Sequence, residues 1–279
     1  MILLVDIGNT RVKWARLNGA APGPQSAAVH AGWSVDDFID TVLNTGGRPR
    51  RVLIGNVAGG QIADVARAAV VRACGIEPEI IRTAAAAAGV RNAYADPTKL
   101  GVDRWLALIA ARALEPGAAC VVDVGTAMTI DGLDARGQHL GGVIVPGPEL
   151  MVSSLLRNTS DLAAFSREGS TSAALFADNT LGAIRQGVVH ALAALIARAA
   201  ETMRQTLGVG PALLLTGGDA DRLQAAIGVP YRSVPDLVLH GLAVLARVSP
   251  GDGPGGERAD ASAPPTDDSH ADRGRRSGR

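Results

Sequence analysis

A short pattern that occurs twice constrains this chain more than any other feature. Ile2-Leu3-Leu4-Val5-Asp6-Ile7-Gly8-Asn9-Thr10 returns as Cys120-Val121-Val122-Asp123-Val124-Gly125-Thr126. Each copy is an apolar run that reads as a buried strand, closes on Asp-x-Gly and a hydroxyl residue, and leads into a second apolar strand. Asp6 and Asp123 lie 117 positions apart, about one domain length. Two similar α/β halves facing each other across a cleft account for that spacing. The rest of the chain alternates short apolar runs with helical periodicity, as βα architectures do. Strands are expected at Ile2–Val5, Val12–Leu17, Arg51–Gly55, Ile80–Arg82, Ala119–Asp123, Met128–Asp131, Gly141–Val145, Ala212–Thr216 and Tyr231–Val234. Helices are expected at Asp36–Leu43, Ile62–Ala73, Val102–Leu114, Pro148–Leu155, Leu181–Leu207, Ala220–Ile227 and Leu237–Arg247. The spacing of Leu181, Ile184, Val188, Leu192, Leu195, Ile196 and Ala199 predicts a long amphipathic helix that lines a core or a dimer interface.

Composition narrows the function classes. Hydrophobic residues are 47% of the 279 and charged residues 19%, enough apolar surface for a large core and against a disordered or collagen-like chain. Lys+Arg and Asp+Glu are both 27, without the basic excess expected of a protein that binds nucleic acid or an anionic membrane. No apolar run reaches the roughly 18 residues of a membrane span. Met1–Val5 is cut short by Asp6 and has no basic lead-in, so it does not read as a signal peptide. Cys74 and Cys120 are too few and too scattered for a disulfide framework or a zinc site. The five histidines show no metal-ligand spacing and read as core residues, as do Trp14, Trp33 and Trp105. A cytoplasmic α/β protein is expected, with domains at 1–114 and 115–248. From Ser249 to Arg279 the chain is rich in Gly, Pro, Asp, Ser and Arg, which predicts a disordered tail.

The two Asp-x-Gly turns bring backbone N–H groups and hydroxyls to a hairpin tip, where glycine lets a phosphate approach closely. The aspartate at the strand end suits Mg²⁺, which takes one or two carboxylates plus phosphate oxygens. Lys13 follows on the next strand and can neutralise terminal phosphates. Arg supplies 25 of the 27 basic residues, and Lys is confined to Lys13 and Lys99. Two such loops would clamp a nucleoside triphosphate from both sides, although two ordinary hairpins explain the same letters. No GxxxxGK[ST] occurs, which excludes a P-loop. Thr216-Gly217-Gly218-Asp219-Ala220 leaves room for a base or ribose, or is a tight turn with Asp219 as a helix cap. Gly101-Val102-Asp103-Arg104 opens a helix. Asp103 there can accept a hydroxyl proton and Arg104 can offer a fork to a carboxylate. The alternative is that Asp103 favours the helix dipole and Arg104 pairs on the surface.

Taken in order, these motifs resemble type III pantothenate kinases, which belong to the actin/sugar-kinase/Hsp70 superfamily of duplicated ribonuclease-H-like domains. The resemblance covers nearly all of 1–248 and rests on DIGNTRVK at Asp6–Lys13, Tyr94 with GVDR at Gly101–Arg104, and DVGTAMT at Asp123–Thr129. GGVIVPG at Gly141–Gly147, Asp178–Thr180 with Gly187, and TGGDA at Thr216–Ala220 complete it. It implies an actin-like ATPase fold and phosphorylation of pantothenate by ATP, with Mg²⁺ and a monovalent cation, K⁺ or NH₄⁺. Asp6, Ile7, Gly8, Asn9, Thr10, Arg11, Val12 and Lys13 are similar to the first phosphate loop, with Asp6 near Mg²⁺ through water. Thr126 matches an ATP contact, and Gly217 and Gly218 belong to the same nucleotide site. Asp123 matches the monovalent-cation ligand and Asp103 the general base. Tyr94, Gly101, Val102 and Arg104 match the pantothenate pocket, with Thr180 contributed near the subunit interface of a homodimer. Two rivals stand beside this reading: a kinase for another small hydroxy acid or sugar, and a non-catalytic nucleotide-binding accessory protein. The set Asp6, Lys13, Asp103 and Asp123 argues for catalysis.

Overall fold

The first copy of the repeat forms β1 (Ile2–Ile7), apolar and buried on both faces, as a central strand must be. It turns into antiparallel β2 (Arg11–Asn18), whose other edge carries β3 (Ala21–Pro22) and β4 (Ser26–Val29). Helix α1 (Val35–Phe38), capped by Ser34, runs into a π turn at Ile39–Leu43. β5 (Arg51–Asn56) then pairs parallel with the free side of β1, α2 (Gly60–Cys74) follows it, and β6 (Glu79–Ile80) extends the sheet in parallel. A small hairpin of β7 (Ala86–Ala87) and β8 (Val90–Arg91) precedes α3 (Val102–Leu114). The second copy becomes β9 (Ala119–Val124), followed by antiparallel β10 (Ala127–Leu133) and β11 (His139–Pro146). After α4 (Pro148–Asn158) and α5 (Thr180–Leu207), β12 (Ala212–Thr216) and β13 (Arg232–Ser233) join in parallel, and α6 (Leu237–Arg247) ends the described chain. This computed structural model describes residues 1–44, 46–158 and 175–247; the expected tail at Ser249–Arg279 lies outside them.

The two sheets share one plan. Their orders are β3-β2-β1-β5-β6, with β4 also on β2, and β11-β10-β9-β12-β13. Each repeat strand lies at the centre, with antiparallel neighbours on one side and parallel ones on the other. The sequence repeat is thus a repeat of topology. The expected helix Ala220–Ile227 is a correction: only a 3₁₀ turn, Ala220–Arg222, forms, because Asp219 gives no side-chain cap and Gly228 and Pro230 follow at once. The two-to-four-residue strands β3, β4, β7 and β8 escape a periodicity reading because they are shorter than the pattern it needs.

Helix α3 is apolar around nearly its whole circumference and is correspondingly buried. Leu106 packs with Leu4 and Leu53 of the first sheet, while Trp105, Leu108 and Ala111 pack with Ala119, Val121 and Leu214 of the second. Helix α6 crosses back from the second sheet to lie on α3 and β1. Its Gly241 sits so close that an added Cβ would collide with the Leu106 carbonyl. Helix α5 is long and apolar enough to cross a membrane, yet its Leu181, Val188, Leu192, Ile196 and Met203 are buried, and Val188, Leu192, Ile196 and Met203 join the core of the second sheet.

Substituting Gly241→Ala tests the α3–α6 crossing. Overpacking against backbone costs about 1–3 kcal/mol, which lowers Tm by roughly 3–10 °C in a chain of this size. A variant that melts with the parent protein in calorimetry refutes the close crossing.

Candidate active site

The repeated turns meet. Thr10 Oγ1 lies 3.2 Å from Thr126 Oγ1, across 116 residues of sequence. Each turn is closed by its glycine: the Gly8 N–H donates to the Arg11 carbonyl three residues on, and the Gly125 N–H to the Ala127 carbonyl two residues on, each at 3.0 Å. Asp6 stands directly opposite Lys13 in the β1–β2 ladder, so Ile7, Gly8, Asn9, Thr10, Arg11 and Val12 form the hairpin between them. Asp123 stands opposite Thr129 on one side and Thr216 on the other. The third turn follows Thr216. Gly217 has φ +101°, and a Cβ there would collide with the Val124 backbone and lie 2.5 Å from Asp123 Oδ1. Only glycine fits. Gly218 faces open space. The Asp219 N–H donates to the Val124 carbonyl at 2.9 Å, and its side chain pairs with Arg222 instead of capping a helix.

Carboxylates outnumber cations at this meeting point. Burial pushes Asp6 up to about 7; Lys13 opposes that shift, and the charges of Asp103, Asp123 and Asp236 add to it. Burial also raises Asp123 to about 6, against Lys13 and with Asp103. Asp236 is raised by burial while Lys13 and His240 draw it down. Its φ of +59° is a conformation rare outside glycine, and it sits just before α6, where its carbonyl accepts the His240 N–H at 3.2 Å. Asp236 was not expected from sequence; it lies just before the helix expected at Leu237–Arg247. Among the described residues no three acid, His or Cys groups converge to cage a metal. Acids held above their usual range around a single lysine fit an ion that takes one or two carboxylates and completes its shell from phosphate and water, as Mg²⁺ does.

The first turn of α3 supplies the remaining groups. Gly101 precedes it and Val102 is buried. The backbone N–H of Arg104 donates to Asp103 Oδ1 at 2.7 Å, which orients the carboxylate. Burial raises Asp103 although that bond and the Arg104 charge oppose it. Arg104 is buried, which excludes a surface pair. Its Nε and Nη2 donate to Asp131 Oδ2 and Oδ1 at 2.8 and 2.6 Å, and Nη1 donates to Tyr94 Oη at 3.1 Å. His139 Nε2 donates to Asp131 Oδ1 at 2.9 Å, and Tyr94 stacks on the His139 ring with centroids 6.1 Å apart. The structure therefore gathers Tyr94, Gly101, Val102, Asp103 and Arg104. Thr180 opens α5 as an exposed residue, and among the described residues no hydrogen bond ties it to the others. Asp131 and His139 were missed, as was His30, whose Nε2 donates to the Gly8 carbonyl at 2.7 Å. The only sequence signal for Asp131 is its two-residue spacing from Thr129, which puts both on one face of β10.

The sequence matches the family described as type III pantothenate kinase over residues 2–202. A type III pantothenate kinase of Aromatoleum aromaticum is 44% identical over 248 residues, covering 88% of this chain and 98% of that protein. One from Nitrosococcus oceani is 36% identical over 252 residues, covering 88% and 94%. Among solved structures, a Sinorhizobium meliloti protein described as a 2-dehydro-3-deoxygalactonokinase superposes with a TM-score of 0.56 at 14% identity, over 90% of this chain and 97% of that one. The fold is that of the actin-like ATPases and sugar kinases. On the match of its sequence across 2–202 and its identity to relatives of nearly the same length, the chain belongs to the type III pantothenate kinase family.

Proposed function

We propose that this chain transfers the γ-phosphoryl group of ATP to the primary hydroxyl of pantothenate, giving 4′-phosphopantothenate at the first step of coenzyme A biosynthesis, with Asp103 as the general base. The observation that carries the reading is the placement of a half-buried carboxylate, Asp103, beside Asp6 and Asp123 at the ends of both Asp-x-Gly strands, close enough for their charges to couple. Phosphoryl transfer needs alignment and charge neutralisation more than covalent chemistry, and this site supplies both. In the proposed arrangement, residues 1–114 and 115–248 are two domains and ATP lies between them. The Gly8–Thr10 and Thr126 turns bind its phosphates, and Gly217 and Gly218 border its nucleoside. Lys13 offsets phosphate charge. Asp6 would hold Mg²⁺ through water and Asp123 a monovalent cation, K⁺ or NH₄⁺; when bound, these ions neutralise the phosphate oxygens. Asp103 takes the hydroxyl proton as the oxygen attacks phosphorus, while Tyr94, Gly101, Val102 and Arg104 hold the acceptor.

The same reading makes the chain a cytoplasmic homodimer that binds neither nucleic acid nor membrane. Support for the dimer comes from β11, an edge strand of the second sheet with Leu140, Val143 and Ile144 exposed. An uncovered apolar edge is a surface that a second copy would bury. Thr180 would then reach the acceptor pocket of the partner.

Asp103→Asn is expected to lower kcat by roughly a hundredfold or more while ATP binding changes little; a variant that keeps most of its kcat removes Asp103 as the base. ATP-dependent ADP release should require pantothenate and should collapse when Na⁺ replaces K⁺. Release that is indifferent to pantothenate points to another small alcohol, and no release at all favours an accessory protein. Ile144→Asp should yield monomers in sedimentation, and an unchanged dimer places the interface elsewhere.

Asp6 also makes stability depend on pH. Its folded value of about 7 lies above the ordinary 3.8, so between those values the folded state binds the extra proton. Stability is therefore highest at the acid end and falls as pH rises through 7. Without metal or nucleotide, the drop in Tm from pH 5.5 to 8 should be smaller in Asp6→Asn than in the parent chain. Equal drops would show that Asp6 does not carry this charge.

A further inference from the structure

Arg104 spends three of its five N–H donors inside the protein, two on Asp131 and one on Tyr94 Oη. One N–H on Nη1 and one on Nη2 remain, on a side chain that is 6% exposed and adjoins Asp103. We propose that Asp131 and His139 are positioning residues that aim this remaining pair of donors at the substrate carboxylate, and that they govern recognition of the acid without taking part in phosphoryl transfer. The inference rests on the reading of pantothenate as the acceptor.

The support for Arg104 forms a closed ring of four side chains. Two parallel N–H···O bonds to Asp131 set the plane of the guanidinium, which a single bond would leave free to swing. Asp131 is held in turn by His139 Nε2 at 2.9 Å, and His139 Nδ1 accepts the Ala93 N–H at 3.4 Å, which fixes the ring tautomer. Tyr94 closes the ring by stacking on His139 and accepting from Arg104. Room for the pair comes from Gly142, on the neighbouring strand β11. A Cβ there would collide with Asp131 Oδ1 and lie 2.5 Å from Arg104 Nη2.

This ring does more than hold a structural ion pair together. A buried pair adds little stability over well-packed apolar residues, so stability alone is a weak reason for it. Asp131 also already balances the Arg104 charge. A substrate carboxylate is then recognised by the geometry of the two free donors more than by net attraction, and geometry is what Asp131 and His139 control.

The test is steady-state kinetics on two acceptors, pantothenate and the analogue in which a hydroxymethyl group replaces the carboxylate. Asp131→Asn and His139→Leu are expected to raise KM for pantothenate by roughly ten- to a hundredfold. KM for ATP, KM for the analogue and kcat should stay within about threefold of the parent enzyme. His139→Gln, whose amide N–H can replace Nε2–H, should restore KM for pantothenate. Should Asp131→Asn fail to fold, the His139→Leu and His139→Gln pair makes the same comparison. Equal losses on both acceptors, or no loss on either, overturn the inference while the parent reading stands. A parent enzyme that does not phosphorylate pantothenate overturns both.

Discussion

Helix α3 occupies the space between two sheets, and the rest of the molecule is arranged around that fact. Its nearly all-apolar circumference leaves little of it to solvent, so the two sheets meet on it and on the α6 helix beside it, while their other faces pack on α1 and α2 and on α4 and α5. The close crossing at Gly241 leaves α3 little freedom to slide. Because the helix is wedged from both sides, its N-terminal turn is held rigidly where the two Asp-x-Gly strands end. Asp103 and Arg104 are the residues of that turn. On the proposed function a packing constraint becomes a catalytic one: the proposed base, Asp103, is carried on a largely buried helix, and a rigid element holds a reacting group more accurately than a loop.

Much of this is legible in the sequence. The repeated apolar run with Asp-x-Gly has one simple structural meaning, a central strand followed by a hairpin, and both copies adopt it. The Gly101–Arg104 motif and the Thr216–Gly218 turn also fall where their residue types suggest. What escaped reading was whatever depends on partners distant in sequence. Asp131 and His139 lie on neighbouring strands, and each taken alone looks like an unremarkable core position. Asp236 reaches the centre only because α6 returns to the first sheet, a crossing that no local pattern announces. His30 touches Gly8 for a similar reason, since β4 folds back along β2. Arg104 is expected from sequence to offer its fork to a carboxylate, but two of its donors go to Asp131, which only the fold brings into contact with it.

The two basic side chains of the site divide the work according to their shapes. Arg104 is planar and many-handed, so it can satisfy Asp131 twice, Tyr94 once, and still keep donors for a ligand. Lys13 has a single compact charge directly opposite Asp6. In a chain whose basic residues are otherwise almost all arginine, this contrast is informative. An arginine at position 13 could grip the Asp6 carboxylate with two bonds and cancel the acidic surplus that raises Asp6 and Asp123. Lysine leaves that surplus in place. On the proposed function, these carboxylates would then stay short of positive charge until a metal ion and a phosphate chain arrive together. On that same reading, Lys13 and Arg104 therefore solve opposite problems: one would keep a charge deficit open for the nucleotide, and the other would close a charge balance so that geometry can select the acid.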